Sequence, residues 1–91
     1  MIFMTTYKVR PFLSKDEQRK LMGVFGRVGV PAGTTAHYVA ADGSHGVAIL
    51  EADDAEAAYA NLQNYTEWIE YDTKVMLTIE QALPHITAAL S

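Results

Sequence analysis

Residues 2–9, IFMTTYKV, are rich in β-branched and aromatic side chains, and this predicts a strand. Arg10-Pro11 ends it, because proline has no N–H to give to a ladder. The period then changes to that of a helix. Leu21, Met22, Phe25 and Val28 fall on one stripe, so an amphipathic helix is expected up to about Val28. Ser14-Lys15-Asp16-Glu17 reads as its capping box, with Leu13 at the staple position. Asp16 and Lys20 are spaced as a favourable i,i+4 pair. Gly29 is a natural stop, and Pro31 prevents continuation. Gly23 and Gly26 interrupt the pattern, each at a cost of ~1 kcal/mol relative to alanine. They predict either close approach by a neighbouring element or ligand, or plain tolerance in a well-capped helix.

Residues 34–41 and 46–52 flank Asp42-Gly43, a strong hairpin signal. With those two as the loop, Val39 faces Gly46, His37 faces Ala48, Tyr38 faces Val47 and Ala40 faces His45. One face then offers Tyr38, Val47 and Ile49, the other Val39, Ala48 and Leu50. Both faces want cover. A single helical layer covers one, so the other is expected to meet a second copy of the chain. Asp53-Asp54-Ala55-Glu56 predicts the start of a second helix, a capping-box variant with acids at its positive end. Its stripe is Ala55, Ala58, Tyr59, Leu62, Tyr65 and Ile69. Residues 71–78, YDTKVMLT, read as the fourth strand, with Tyr71, Thr73, Val75 and Leu77 on one face. Thr78-Ile79-Glu80-Gln81 offers a cap for a terminal helix, but Pro84 interrupts its interior, so a short turn and then a helix beginning at Pro84 is expected.

The order β-α-β-β-α-β plus a C-terminal helix predicts the α+β, ferredoxin-like arrangement of a four-stranded antiparallel sheet under two helices. At 91 residues and 49% hydrophobic content the chain is expected to be one domain, 1–91, without disorder. No apolar run approaches a membrane span, and Met1-Ile2-Phe3-Met4 lacks the basic start of a secretory signal. Cysteine is absent, which excludes a disulfide framework and thiolate metal sites and fits a cytoplasmic location. The net charge of −4 argues against general nucleic-acid binding. The charge is uneven. Six of the seven bases lie in the first 27 positions against Asp16 and Glu17, whereas beyond them Lys74 alone faces nine acids. Such asymmetry steers an anion or an acidic surface, or simply solvates two faces differently.

The opening Met1–Tyr7 segment, the Asp42-Gly43 hairpin and Leu50-Glu51-Ala52-Asp53-Asp54 leading into the second helix together resemble domain-of-unknown-function family 3303. That resemblance covers nearly the whole chain. It implies the homodimeric α+β barrel, in which two four-stranded sheets pack face to face. The family pattern Gly-Arg-Trp-His on the second strand reads Ala36-His37-Tyr38-Val39 here, and its late helix-two Trp and Asp read Tyr65 and Glu67, with Trp68 following.

His37, mid-strand and opposite small residues, is the first candidate for a ligand contact or an acid/base group; the alternative is a packed, hydrogen-bonded histidine. Tyr59, Tyr65, Trp68 and Tyr71 form an aromatic-rich end to the second helix, which suits either a flat organic ligand or core packing. The expected ligand contacts are therefore His37, Tyr38, Tyr65 and Trp68. Lys15, Arg19 and Arg27 share a helical stripe with Gly23 and Gly26, and could meet an anion or an acidic partner. His45 and His85 are expected to face solvent. His37 and His45 point to opposite faces, and no HxH or HxxxH occurs, so no metal site is expected. The loop 29–33 lacks a phosphate-binding pattern, and no cofactor is expected. Three functional classes fit these residues: a homodimeric small-ligand-binding protein, a cofactor-independent monooxygenase or cyclase using His37 and a tyrosine for proton transfer, and an interaction module using the basic helix face.

Overall fold

In the computed structural model, which describes residues 1–91, the elements run β1 (Ile2–Val9), α1 (Lys15–Val28), β2 (Thr34–Val39), β3 (His45–Glu51), α2 (Glu56–Leu62), β4 (Ile69–Met76) and α3 (Ile79–Ala89). A single 3-10 turn, Gln63–Tyr65, follows α2. The strands form one antiparallel sheet in the order β2-β3-β1-β4. This is the ferredoxin-like βαββαβ arrangement with an added C-terminal helix.

The α1 helix starts as its capping box predicts. The Ser14 hydroxyl accepts from the Glu17 N–H at 3.1 Å, and the Ser14 N–H donates to Glu17 Oε1 at 3.3 Å. These bonds and an ion pair with Arg10 hold the Glu17 carboxyl below the usual range. The helix stops at Gly29, whose N–H donates to the Phe25 carbonyl at 2.8 Å. Asp16 pairs with Arg19 at 2.6 Å rather than with Lys20, one position further along. A side chain at Gly23 or Gly26 would meet open space, so no element of this chain approaches them.

The hairpin keeps its expected register: His37 faces Ala48, Tyr38 faces Val47 and Val39 faces Gly46. Its loop is wider than two residues. The Gly43 N–H donates to the Ala40 carbonyl and the Ala40 N–H to the His45 carbonyl, leaving 41–44 outside the ladder. Gly43 takes φ +76°, and Asp42 Oδ1 accepts from both the N–H and the hydroxyl of Ser44. Those two bonds lower the Asp42 pKa.

Four expectations change in the second half, the first being that β4 covers Ile69–Met76 rather than 71–78, which leaves Leu77 and Thr78 outside the strand. The α2 start is not a capping box: Ala55 occupies the cap, and Asp54 Oδ1 accepts from the Glu56 N–H instead. The stripe expected to reach Ile69 ends at Tyr65, because the chain tightens into the 3-10 turn and Ile69 already belongs to β4. The last helix begins at Ile79 and runs through Pro84. Thr78 and Gln81 form a complete capping box there, and proline removes only one bond of the ladder.

Alternation divides the sheet into two faces. Phe3, Leu50 and Ala58 form the small buried core where α2 meets the sheet. The opposite face carries Met4, Val47 and Ile49, half-buried, and Tyr38, which is 69% exposed. No helix of the molecule is long and apolar enough to cross a membrane.

Candidate functional site

The helix-side face of the sheet is laid out in rows by register. One row reads Tyr71 (β4), Tyr7 (β1), Gly46 (β3) and Val39 (β2); the next reads Thr73, Thr5, Ala48 and His37. Gly46 and Ala48 make β3 low between its neighbours. Tyr7 uses that trough. A Cβ at Gly46 would overlap Tyr7 Cζ, so the phenol ring crosses β3 where the side chain is missing. It ends diagonally at His37, with Tyr7 Oη and His37 Nε2 sharing a hydrogen bond at 2.6 Å and the rings edge-on at 5.7 Å. Tyr71 flanks Tyr7 on the other side, with ring centroids 6.0 Å apart.

Above these rings lies a cavity of about 360 Å³. Leu21, Met22 and Phe25 of α1 roof it, and Leu62 and Tyr65 close its far wall. The roof is held by the Gly29 carbonyl at the end of α1. It accepts from Tyr65 Oη at 2.6 Å and from Asn61 Nδ2 at 3.3 Å. Asn61 Oδ1 is buried without a hydrogen-bond partner. The wall is mostly apolar and contains no Asp, Glu, Lys or Arg. Burial pushes the Tyr7, Tyr65 and Tyr71 phenols above their ordinary pKa, and for Tyr71 the neighbouring phenols Tyr65 and Tyr7 add to it. The site is therefore an apolar pocket without carboxylate, ammonium or guanidinium groups, with hydrogen-bonding groups on the sheet floor (Tyr7, His37 and Tyr71) and at the Asn61–Tyr65 wall. Its volume is in the range of small-molecule sites.

Of the residues expected from sequence, His37 and Tyr65 line this cavity. His37 is exposed at its rim and Tyr65 is buried in its wall. Tyr38 projects from the opposite face of the sheet, since it alternates with His37. Trp68 is buried beside Arg10, Glu17 and Lys20, and its carbonyl accepts from the Arg10 N–H at 2.7 Å. Neither joins His37. Lys15, Arg19 and Arg27 are exposed along α1, outside the cavity. Sequence reasoning missed Tyr7 as a site residue and placed Tyr71 only among the aromatics near helix two. Period-two alternation puts Tyr7 on a face, but only the β1–β3 register, set between distant segments, puts it opposite Gly46.

Among solved structures, the chain is similar to protein Atu4242 from Agrobacterium tumefaciens at 13% identity, covering 85% of this chain and 92% of that one with a TM-score of 0.49. It is also similar to Rv0793 from Mycobacterium tuberculosis at 14% identity, covering 85% and 94% with a TM-score of 0.46. No curated protein matches it by sequence. The model of the DUF3303 domain of unknown function matches residues 1–90, and the chain belongs to that family.

Proposed function

We propose that this protein binds a small organic molecule in the cavity between sheet and helices, and that it does so as a homodimer. The observation that carries the binding reading is the cavity itself. It is about 360 Å³, apolar, and floored by the hydrogen-bonded Tyr7–His37 pair beside Tyr71. A dry core would fill that space with side chains, since protein interiors are close-packed. The dimer reading is supported by two apolar surfaces without cover. One is the outer sheet face around Tyr38. The other is the α3 stripe of Ile79, Leu83, Ile86 and Leu90, all more than half exposed.

Thermal melts against a panel of small apolar compounds test the binding reading. Stabilisation by members of the panel is expected, and it should be reduced in Phe25→Glu, which places a charge in the roof. A panel without any effect on wild type contradicts the reading.

A second reading has one observation in its favour. A phenol and an imidazole sharing a hydrogen bond at 2.6 Å can pass a proton between them, as a cofactor-independent monooxygenase or cyclase needs. Turnover of a bound phenolic compound that is lost in Tyr7→Phe would support it.

A further inference from the structure

The polar groups on the cavity wall are nearly all committed to protein partners. Thr5 bonds Thr73 at 2.8 Å, and Thr34 donates to the Pro31 carbonyl at 2.7 Å. Tyr65 and the Asn61 amide N–H donate to the Gly29 carbonyl. His45 Nδ1 is bonded to the Ser44 hydroxyl at 2.6 Å. Tyr7 and His37 satisfy each other. On the acceptor side Asn61 Oδ1 is buried without a partner, and among the donors the hydroxyl of Tyr71 stands apart. It belongs to a half-buried side chain on the cavity floor, and it bonds no group of the protein. Burial keeps it protonated, hence a donor.

The charge pattern narrows the ligand from the other side. An ion entering this cavity would lose hydration with no opposite charge on the wall to compensate it. The imidazoles of His37 and His45 lie at the exposed rim. The bases of the N-terminal third, which could attract an anion, are absent from the lining. At protein-like packing density a space of about 360 Å³ holds on the order of 15 non-hydrogen atoms.

From these observations we infer that the ligand is an uncharged, mostly apolar molecule carrying a carbonyl or ether oxygen, and that Tyr71 is the residue that selects it by donating a hydrogen bond to that oxygen. This deepens the binding reading above and rests on it. No turnover is required. Tyr71 acts as a specificity residue whether or not the Tyr7–His37 pair moves a proton.

Three compounds of similar shape separate the terms: 9-fluorenone (neutral, with an acceptor), fluorene (neutral, without one) and 9-oxofluorene-2-carboxylate (an anion). Calorimetric titration of the wild-type protein should rank 9-fluorenone about tenfold tighter than fluorene, the step expected of one hydrogen bond to an otherwise unpaired group. The carboxylate should bind at least about tenfold more weakly than 9-fluorenone. Tyr71→Phe keeps the ring and removes only the hydroxyl, so it should bring 9-fluorenone to the level of fluorene and leave fluorene unchanged. Equal binding of the two neutral compounds to wild type overturns the role of Tyr71 while the binding reading stands. So does a preference for 9-fluorenone that survives Tyr71→Phe. Tightest binding by the carboxylate overturns the neutral class. Failure of all three compounds to bind overturns both the inference and the reading beneath it. Should Tyr71→Phe not fold, the chemical shifts of the wild-type Tyr71 ring decide its role: a change with 9-fluorenone that fluorene does not produce supports it, and equal changes with the two compounds overturn it.

Discussion

Tyr7 lies where it does because the residue opposite it on β3 has no side chain. That one contact decides the chemistry of the floor, since the ring crosses Gly46 to reach His37. Half of the arrangement is legible in the sequence. The Asp42-Gly43 turn sets the hairpin register, so His37 opposite Ala48 beside Gly46 follows from local rules. The other half is not. Tyr7 meets Gly46 only through a pairing of distant segments, which no local pattern specifies. Tyr38 shows the converse: an aromatic adjacent in sequence to His37 is on the wrong face by one step of alternation. The buried phenols also set a pH response. Tyr7, Tyr65 and Tyr71 have pKa values raised by burial. In the unfolded chain each ionises at about pH 10. A group that holds its proton more tightly when folded stabilises the fold below that pH, and the stabilisation is lost as the pH rises through it and beyond. The melting temperature should therefore fall as pH rises above about 10, with a shallower fall in Tyr71→Phe. Parallel slopes for the two proteins would contradict the burial of that hydroxyl.

Among the elements, those with complete local signals form as expected. The α1 helix has its capping box, stripe and glycine stop, and it forms over Lys15–Val28 as those signals require. In α3 two local signals conflict: Pro84 points to a late start and the Thr78–Gln81 box to an early one, and the box prevails in the fold. The end of α2 escapes a sequence reading because its helical stripe continues on paper through a 3-10 turn and into a strand. The glycines give the sharpest test of these elements. Gly23 and Gly26 face open space inside α1, so alanine at either position should raise stability by about 0.5–1 kcal/mol through helix propensity. Gly33 is the opposite case. It sits at φ +89°, and a Cβ there would overlap the Glu51 carbonyl oxygen, a backbone atom of the adjacent strand. Gly33→Ala should cost about 2 kcal/mol or more, because neither the angle nor the neighbour can give way cheaply. Chemical denaturation of the three single variants measures both signs. Loss of stability in Gly23→Ala or Gly26→Ala would mean that something outside this chain packs there.

The molecule as a whole is longer than a closed domain of its size. Its radius of gyration is 16.0 Å and its extents are 57 × 26 × 18 Å, against about 12 Å for the radius of a typical compact chain of this length. The α3 helix accounts for the excess in the sense that none of its residues is buried. Leu83 is 53% exposed and Leu90 83%. A core of only a few buried apolar side chains gives a small domain little stability on its own, and covering these surfaces with a second copy adds to it. Sedimentation equilibrium at micromolar concentration should therefore return twice 10.0 kDa, and a single species of 10.0 kDa would rule the dimer out. The proposed ligand binding, by contrast, rests on the cavity rather than on the assembly. Chemical-shift mapping of the isotopically labelled wild-type protein during titration with 9-fluorenone locates the bound molecule residue by residue. Shifts are expected to concentrate on Tyr7, His37, Tyr71 and the roof residues Leu21 and Phe25. Shifts confined to the outer sheet face around Tyr38 or to α3, or none at all, would contradict binding in the cavity.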